Sequence, residues 1–312
     1  MSEKIGFLFP GQGSQFVGMG QDLLGQFPSL KHIFEEMDEI CKRPISRLCL
    51  EGPMSELTLT ENLQPAITAV NLICLAALNR SGIRPTVAAG HSLGEYSALV
   101  SAGVVTESDA LRLVQKRGEL MNREAISNPG GMAAVIGLDQ GAVSGIVAQA
   151  KGHDVLAVAN YNTAEQIVIT GEKEPISRAV RMVKERKGKA VELKVSGAWH
   201  SQLMKGAVDE FRRFMVDIPF KPPQSAILFN ATSRGETEVD RIKDIMAQQL
   251  ISPVKWYNII KKMLNDGVSR FVEVGPKKVL TGLLKKIVPP NKDVKIHNVQ
   301  DAEGLRDFLQ GP

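Results

Sequence analysis

Short unbroken apolar runs alternate along the chain with stretches in which apolar residues return every three or four positions. The first pattern predicts strands buried on both faces, the second amphipathic helices. "KIGFLFP" reads as a short buried strand ending at Pro10-Gly11, and "PTVAAG" (85–90) as a second. Between them "ENLQPAITAVNLICLAALNRSG" (61–82) predicts a helix closed by Gly82. A helical pattern, "GEYSALVSAGVV", follows Ser92 at once. Thr106 and Asp109 form a capping-box-like start for a helix running to about Ala125, and "NPGG" (128–131) then breaks the pattern.

Beyond that break the order changes. "GMAAVIGL" reads as a strand, "DQGAVSGIVAQAKG" as a helix, and "HDVLAVANYN" and "EQIVITG" as two strands. "KEPISRAVRMVKERKG" then predicts a helix and "KAVELKVSG" a strand. This is the β-α-β-β-α-β order of ferredoxin-like units, so residues 130–196 read as a small inserted domain. Residues 1–129 and 197–312 form the larger domain. There a helix is expected near His200, a strand at "SAILFNAT", mostly helix over 247–264, a strand at "RFVEVG" and a helix at "KKVLTGLLKKIV". Strands alternating with helices predict an α/β domain with a largely parallel sheet.

Composition narrows the class without choosing a function. The 312 residues, 43% hydrophobic and 23% charged, suit an ordinary globular protein with a sizeable core. No apolar run nears the roughly 20 residues a membrane helix needs, and the N-terminal run is too short for a signal peptide. Cys41, Cys49 and Cys74 are odd in number and lack C-x-x-C spacing, which suits a reducing compartment. A cytoplasmic protein with no membrane association is the expectation. The net charge of +4 is mild and no basic run has nucleic-acid-binding density, so no nucleic-acid partner is expected. No metal or Walker motif is present, and "PGQGSQF" fails as a dinucleotide fingerprint because Phe16 holds the third glycine position.

The candidate chemistry begins at "AAGHSLGEYSALV", where Ser92 stands between Gly90 and Gly94. G-x-S-x-G arises by chance in roughly one chain in five to ten of this composition, so its place between a predicted strand and helix is what gives it weight. A nucleophile in such a strained turn needs flanking residues without Cβ, and the helix N-terminus offers N–H groups to an oxyanion. An ordinary glycine-rich turn is the alternative. Among five histidines, His200 is the candidate base, because "VSGAWH" lies where the chain re-enters the large domain. No Asp or Glu is placed to complete a triad; a backbone carbonyl could orient the imidazole instead.

Arg117 supplies the second clue. The stripe Ala110, Leu113, Val114, Leu120, Met121 includes it, while Arg112, Lys116, Glu119 and Arg123 share the other face. An arginine on a core-facing stripe either pairs with an internal carboxylate or snorkels to the edge, or it awaits a ligand carboxylate. In the second case a reactive serine beside it would select an acyl group with its own free carboxylate, such as malonyl.

"FPGQGSQ", "QPA" (64–66), "GHSLGEYSAL", "NYNTAEQIVITG", "VSGAWHSQLM" and "EVGPKKVLTGL" together resemble the malonyl-CoA:acyl carrier protein transacylases of bacterial type II fatty acid synthesis, over nearly the whole chain and in order. The resemblance implies an α/β-hydrolase-like domain with a ferredoxin-like insertion. It implies Ser92 as the acylated nucleophile, His200 as base and Arg117 as the carboxylate clamp. Gln12 and Leu93 would give the oxyanion hole, and Gln249 would orient the base through its main-chain carbonyl. Trp199 stands where related acyltransferases often have Phe, which favours malonyl over methylmalonyl. The implied partners are malonyl-CoA and an acidic acyl carrier protein, with Lys277, Lys278, Lys285 and Lys286 as candidate docking residues. No free cofactor is implied, CoA entering with the substrate, and a monomer is the expectation. A polyketide acyltransferase or a serine thioesterase on the same nucleophile are the alternatives.

Overall fold

The computed structural model describes residues 3–311. Strand β1 (Ile5–Phe9) is buried from Gly6 on, with Phe7 and Phe9 facing one apolar cluster and Leu8 the other. Both faces of a central parallel strand lie under helices, which is why its sequence does not alternate with polar residues. Four short helices follow: α1 (Gln21–Gln26), α2 (Lys31–Cys41), α3 (Ile45–Glu51) and α4 (Met54–Leu57). Helices α1, α3 and α4 are each too short to show more than two turns of periodicity, and only α2, with 11 residues, completes three.

Helix α5 (Thr60–Arg80) is apolar on nearly every side. By length and a mean hydropathy of 1.2 it could cross a membrane, contrary to the expectation that no such run exists, but 89% of that window is buried inside the fold. Pro65 removes one helical N–H, and the Glu61 carbonyl it leaves accepts from Arg43 Nη2 at 3.2 Å instead. Strand β2 (Val87–Gly90) runs into the turn holding Ser92, and α6 (Gly94–Ser101) follows. Helix α7 (Glu107–Ser127) starts where Thr106 Oγ1 accepts from Asp109 N at 3.1 Å. Gly118 lets α7 lie against α5: a Cβ there would stand 3.3 Å from Glu61 Cα.

The next six elements are β3 (Gly131–Ile136), α8 (Gln140–Lys151), β4 (Leu156–Tyr161), β5 (Gln166–Gly171), α9 (Lys173–Glu185) and β6 (Lys189–Glu192). They form an antiparallel sheet in the order β4-β5-β3-β6 with its own apolar cluster, the ferredoxin-like arrangement. The remaining chain gives α10 (Lys205–Val216), β7 (Ala226–Leu228), α11 (Val239–Gln248), α12 (Trp256–Asn265), β8 (Arg270–Val274), α13 (Val279–Ile287), β9 (Lys295–Val299) and α14 (Ala302–Gln310). The larger sheet, β7-β2-β1-β8-β9, is parallel throughout.

The stretch 247–264 is not continuous helix. Pro253 disfavours helical geometry at Ser252, which is extended (φ −108°, ψ 149°). Val254 then pairs with the antiparallel sheet: Tyr161 N donates to Val254 O at 2.9 Å and Val254 N to Ala159 O at 2.8 Å. Lys255 N donates to Asn230 O at 3.1 Å just past β7, so this segment joins the smaller sheet to the end of the larger one. The helix expected near His200 is a 3-10 turn (Gln202–Met204) leading into α10.

Candidate active site

Ser92 sits at the carboxyl end of β2, where ligands gather in open parallel sheets. Its φ of 50° is left-handed, a strained conformation for a residue with a Cβ. The flanking glycines are sterically required. A Cβ on Gly90 would lie 1.9 Å from Gly94 C, and one on Gly94 would lie 2.0 Å from Phe9 O. A Cβ on Gly11 would stand 2.5 Å from His91 O, so the loop carrying Gln12 can approach the serine turn only as glycine.

His200 is also left-handed (φ 61°) and buried. Its Nε2 lies 2.8 Å from Ser92 Oγ, and its Nδ1 lies 2.9 Å from the carbonyl oxygen of Gln249. A carbonyl can only accept, so Nδ1 carries the proton and Nε2 presents a lone pair to the hydroxyl. Burial pushes the imidazole pKa down to about 3, and the Arg117 guanidinium adds to the shift. The ring is neutral and able to take a proton at any ordinary pH.

Arg117 is 1% exposed. Its Nη1 donates to Gln64 Oε1 at 2.8 Å; its Nη2 donates to Gln249 Oε1 at 3.0 Å and reaches Ser92 Oγ at 3.3 Å. The guanidinium stands 5.6 Å from the Tyr96 ring centroid, and its buried Nε has no hydrogen-bond acceptor among the described residues. All its partners are neutral, and among the described residues it forms no ion pair. Burial lowers its pKa, with Tyr96 and Glu95 opposing. Of the two explanations for an arginine on this stripe, direct pairing with an internal carboxylate does not occur.

A cavity of about 120 Å³ joins these groups, lined by Gln12, Gln64, His91, Ser92, Leu93, Arg117, Met121, Met132, Asn160, Leu193, Val195, Trp199 and His200. All but one of the site residues expected from the sequence therefore line one space, and the exception, Gln249, stands behind it against His200, Arg117 and Ser92. The backbone N–H groups of Gln12 and Leu93 have no acceptor among the described residues. Trp199 is buried, and Gly197 makes room for it: a Cβ there would stand 2.7 Å from its ring. A larger depression of about 760 Å³ follows the outer edge at β7, away from these groups. Lys277, Lys278, Lys285 and Lys286 are exposed. Lys277 Nζ reaches Gly13 O at 3.3 Å, beside the Gln12 loop, and Lys286 Nζ reaches Gln166 Oε1 at 3.2 Å on the antiparallel sheet.

Sequence reasoning missed the polar groups behind the cavity. Asn230, just past β7, accepts from Ser92 N at 2.6 Å and donates from Nδ2 to Gly90 O at 2.7 Å. Glu95 is fully buried, accepting from Asn230 N at 2.5 Å and from Gln249 Nε2. His91 turns away from the reaction and meets Asn162 Oδ1 at 2.8 Å and the Trp256 ring. A carboxylate amid apolar helix residues was the one available signal for Glu95; nothing in the sequence marks Asn230.

Residues 6–302 match the model of the acyl transferase domain family. The malonyl CoA-acyl carrier protein transacylase of Bacillus subtilis (strain 168) is 41% identical over 309 residues, covering 98% of this chain and 96% of that protein. An acyl carrier protein S-malonyltransferase from Vibrio cholerae superposes with a TM-score of 0.93 at 39% identity, over 97% of this chain and 99% of the other. A malonyl-transacylase solved in complex with its type II polyketide synthase acyl carrier protein superposes at 0.94, with 35% identity and 99% of each chain covered. The serine turn, its histidine and the buried arginine thus stand in a framework shared over almost the full length, and the chain belongs to the malonyl-CoA:acyl carrier protein transacylase family of acyltransferases.

Proposed function

We propose that the protein transfers the malonyl group of malonyl-CoA to the phosphopantetheine thiol of acyl carrier protein, through an ester on Ser92, in fatty acid biosynthesis. The single observation that carries this reading is the buried Arg117 guanidinium, 3.3 Å from Ser92 Oγ and in contact only with neutral groups. A buried cation in neutral company is unfavourable until a carboxylate arrives, and malonyl brings one.

In the first half-reaction Ser92 Oγ attacks the thioester carbonyl while His200 Nε2 takes its proton. The carbonyl oxygen becomes an oxyanion facing the N–H groups of Gln12 and Leu93. The C–S bond breaks, the imidazolium returns its proton to sulfur, and CoA leaves as a thiol. In the second half-reaction the carrier thiol loses its proton to His200 and attacks the ester, and Ser92 leaves with that proton. Arg117 holds the acyl carboxylate through both steps, keeping the ester turned from water while the incoming arm fills the channel. No free cofactor takes part. Residues 130–196 act as a separate inserted unit that supplies Met132, Asn160, Leu193 and Val195 to the cavity wall. The four lysines receive the acidic carrier, and the protein works as a cytoplasmic monomer.

Mixing the protein with malonyl-CoA and recording its intact mass tests the reading. A stable malonyl adduct absent from Ser92→Ala, and discharged on adding carrier protein, is the expected result. Release of free malonate as fast as transfer would mark a thioesterase instead. The solved relative bound to a polyketide carrier supports a second acceptor, so discharge to both carrier types is the comparison to make.

A further inference from the structure

Among the described residues Arg117 has no direct carboxylate partner, yet a buried carboxylate lies one residue beyond it, on the far side of Gln249. Gln249 Oε1 accepts from Arg117 Nη2 at 3.0 Å, and Gln249 Nε2 donates both to Ser92 O at 2.9 Å and to Glu95 Oε2. Glu95 Oε1 accepts from Asn230 N at 2.5 Å. Glu95 is completely buried, in the first turn of α6, and plays no part in the proton transfers above.

An amide side chain has two senses, and here both ends are committed. An ionised carboxylate only accepts, so it draws Nε2 inward. Oε1 then faces the guanidinium, which only donates. We propose that Glu95 is a positioning residue: its carboxylate fixes the sense of the Gln249 amide, and Gln249 thereby holds Arg117 in the cavity with its charge uncancelled. The relay separates the two jobs a direct ion pair would merge. Glu95 anchors the arginine, but at one remove it does not occupy the donors that a substrate carboxylate would use. Through Asn230 the same carboxylate braces the turn of Ser92, which ties the clamp and the nucleophile to one frame. Burial pushes the Glu95 pKa up to about 7, with Arg117 and the two donors holding it down, so the ionised form is favoured by the partners the relay requires.

The inference rests on the malonyl-transfer reading, and its test separates the two. Glu95→Gln keeps the shape but presents an NH2 group, so the Gln249 amide turns over and sets a donor against Arg117. Gln249→Met removes the relay while leaving the backbone carbonyl that holds His200. Acylation of Ser92 is measured with malonyl-CoA and acetyl-CoA in wild type and both variants. The ratio of malonyl to acetyl kcat/KM is expected to fall at least about 10-fold in each variant, and no further in the double variant, because both break one path. A merely structural role would depress both donors alike and leave the ratio unchanged; that result overturns the proposal. Should Glu95→Gln fail to fold, the Gln249→Met ratio decides. Failure of the wild-type protein to form a malonyl ester would defeat the functional reading itself.

Discussion

Arg117 Nη2 lies 3.3 Å from Ser92 Oγ, so the cation and the nucleophile occupy one wall of the same small cavity. An acyl group esterified to Ser92 has only a short reach to the guanidinium, which matches a three-carbon diacid. Arg117→Ala removes a buried charge-assisted contact, a loss of about 2–4 kcal/mol or roughly 30- to 1,000-fold in kcat/KM for malonyl-CoA. Acetyl-CoA, with no carboxylate, is expected to change far less. Equal losses for both donors, measured by adduct formation, would remove the clamp from the mechanism.

The base should tolerate acid. His200 accepts a proton only when neutral, and its pKa is down at about 3 through burial and the nearby guanidinium. The acylation rate with acetyl-CoA, which needs no clamp, therefore stays flat as pH falls through 6.5, where an ordinary histidine would switch off; with malonyl-CoA the Glu95 titration near 7 is superimposed. Arg117→Gln removes the cation that opposes imidazolium formation, so the acid limb for acetyl-CoA moves to higher pH. The same depressed pKa bears on stability. The unfolded chain binds this proton below about pH 6.5 and the native state does not, so the contribution of His200 to stability falls as pH drops below that value, opposite in sign to the buried Glu95 and Glu273, whose pKa values are pushed up to about 7. Rapid-quench acylation with acetyl-CoA between pH 4 and 9, with the unfolding of wild type and His200→Ala compared in parallel, checks both; a wild-type midpoint near 6.5 for acetyl-CoA would contradict the assignment.

Strain at the serine turn should be measurable. Ser92 has a φ of 50°, which costs a residue with a Cβ on the order of 1 kcal/mol that glycine escapes. Ser92→Ala and Ser92→Gly both lose acylation and the contacts of Oγ. Glycine should nevertheless be the more stable variant by about that amount in denaturant unfolding, despite its greater freedom when unfolded. Alanine equal to or better than glycine would show the turn to be relaxed.

Trp199 is packed at 4% exposure in the cavity wall, beside Gly197. A ring of this size at the cavity wall is expected to crowd a branch on an acyl group carried by Ser92. Methylmalonyl-CoA should be a poor donor for the wild type, and Trp199→Ala should raise the methylmalonyl-to-malonyl ratio of kcat/KM by about 10-fold, one methyl being worth on the order of 1 kcal/mol or somewhat more. Comparable wild-type values for the two thioesters would refute the size argument.

The fold was largely legible where periodicity is long or a capping residue is present. The apolar run of β1, the Thr106 start of α7 and the βαββαβ order over β3 to β6 all follow from residues close in sequence. The short helices α1, α3 and α4 and the break at Pro253 were not, since one or two turns carry little pattern and an extended segment is stabilised by a distant partner, here Ala159 and Tyr161.

The chain alone determined which residues could react: a serine in a turn that only glycines can flank, a histidine at a junction, and an arginine on an apolar stripe. Each is a local fact of spacing and backbone sterics. Tertiary structure decided what those residues mean to one another. It brought His200 within 2.8 Å of Ser92, placed Gln249 between Arg117 and Glu95, and left the arginine among neutral groups. Hydrogen-bond partners more than a hundred residues apart are chosen by how helices and sheets pack, and no periodicity along the chain encodes that choice.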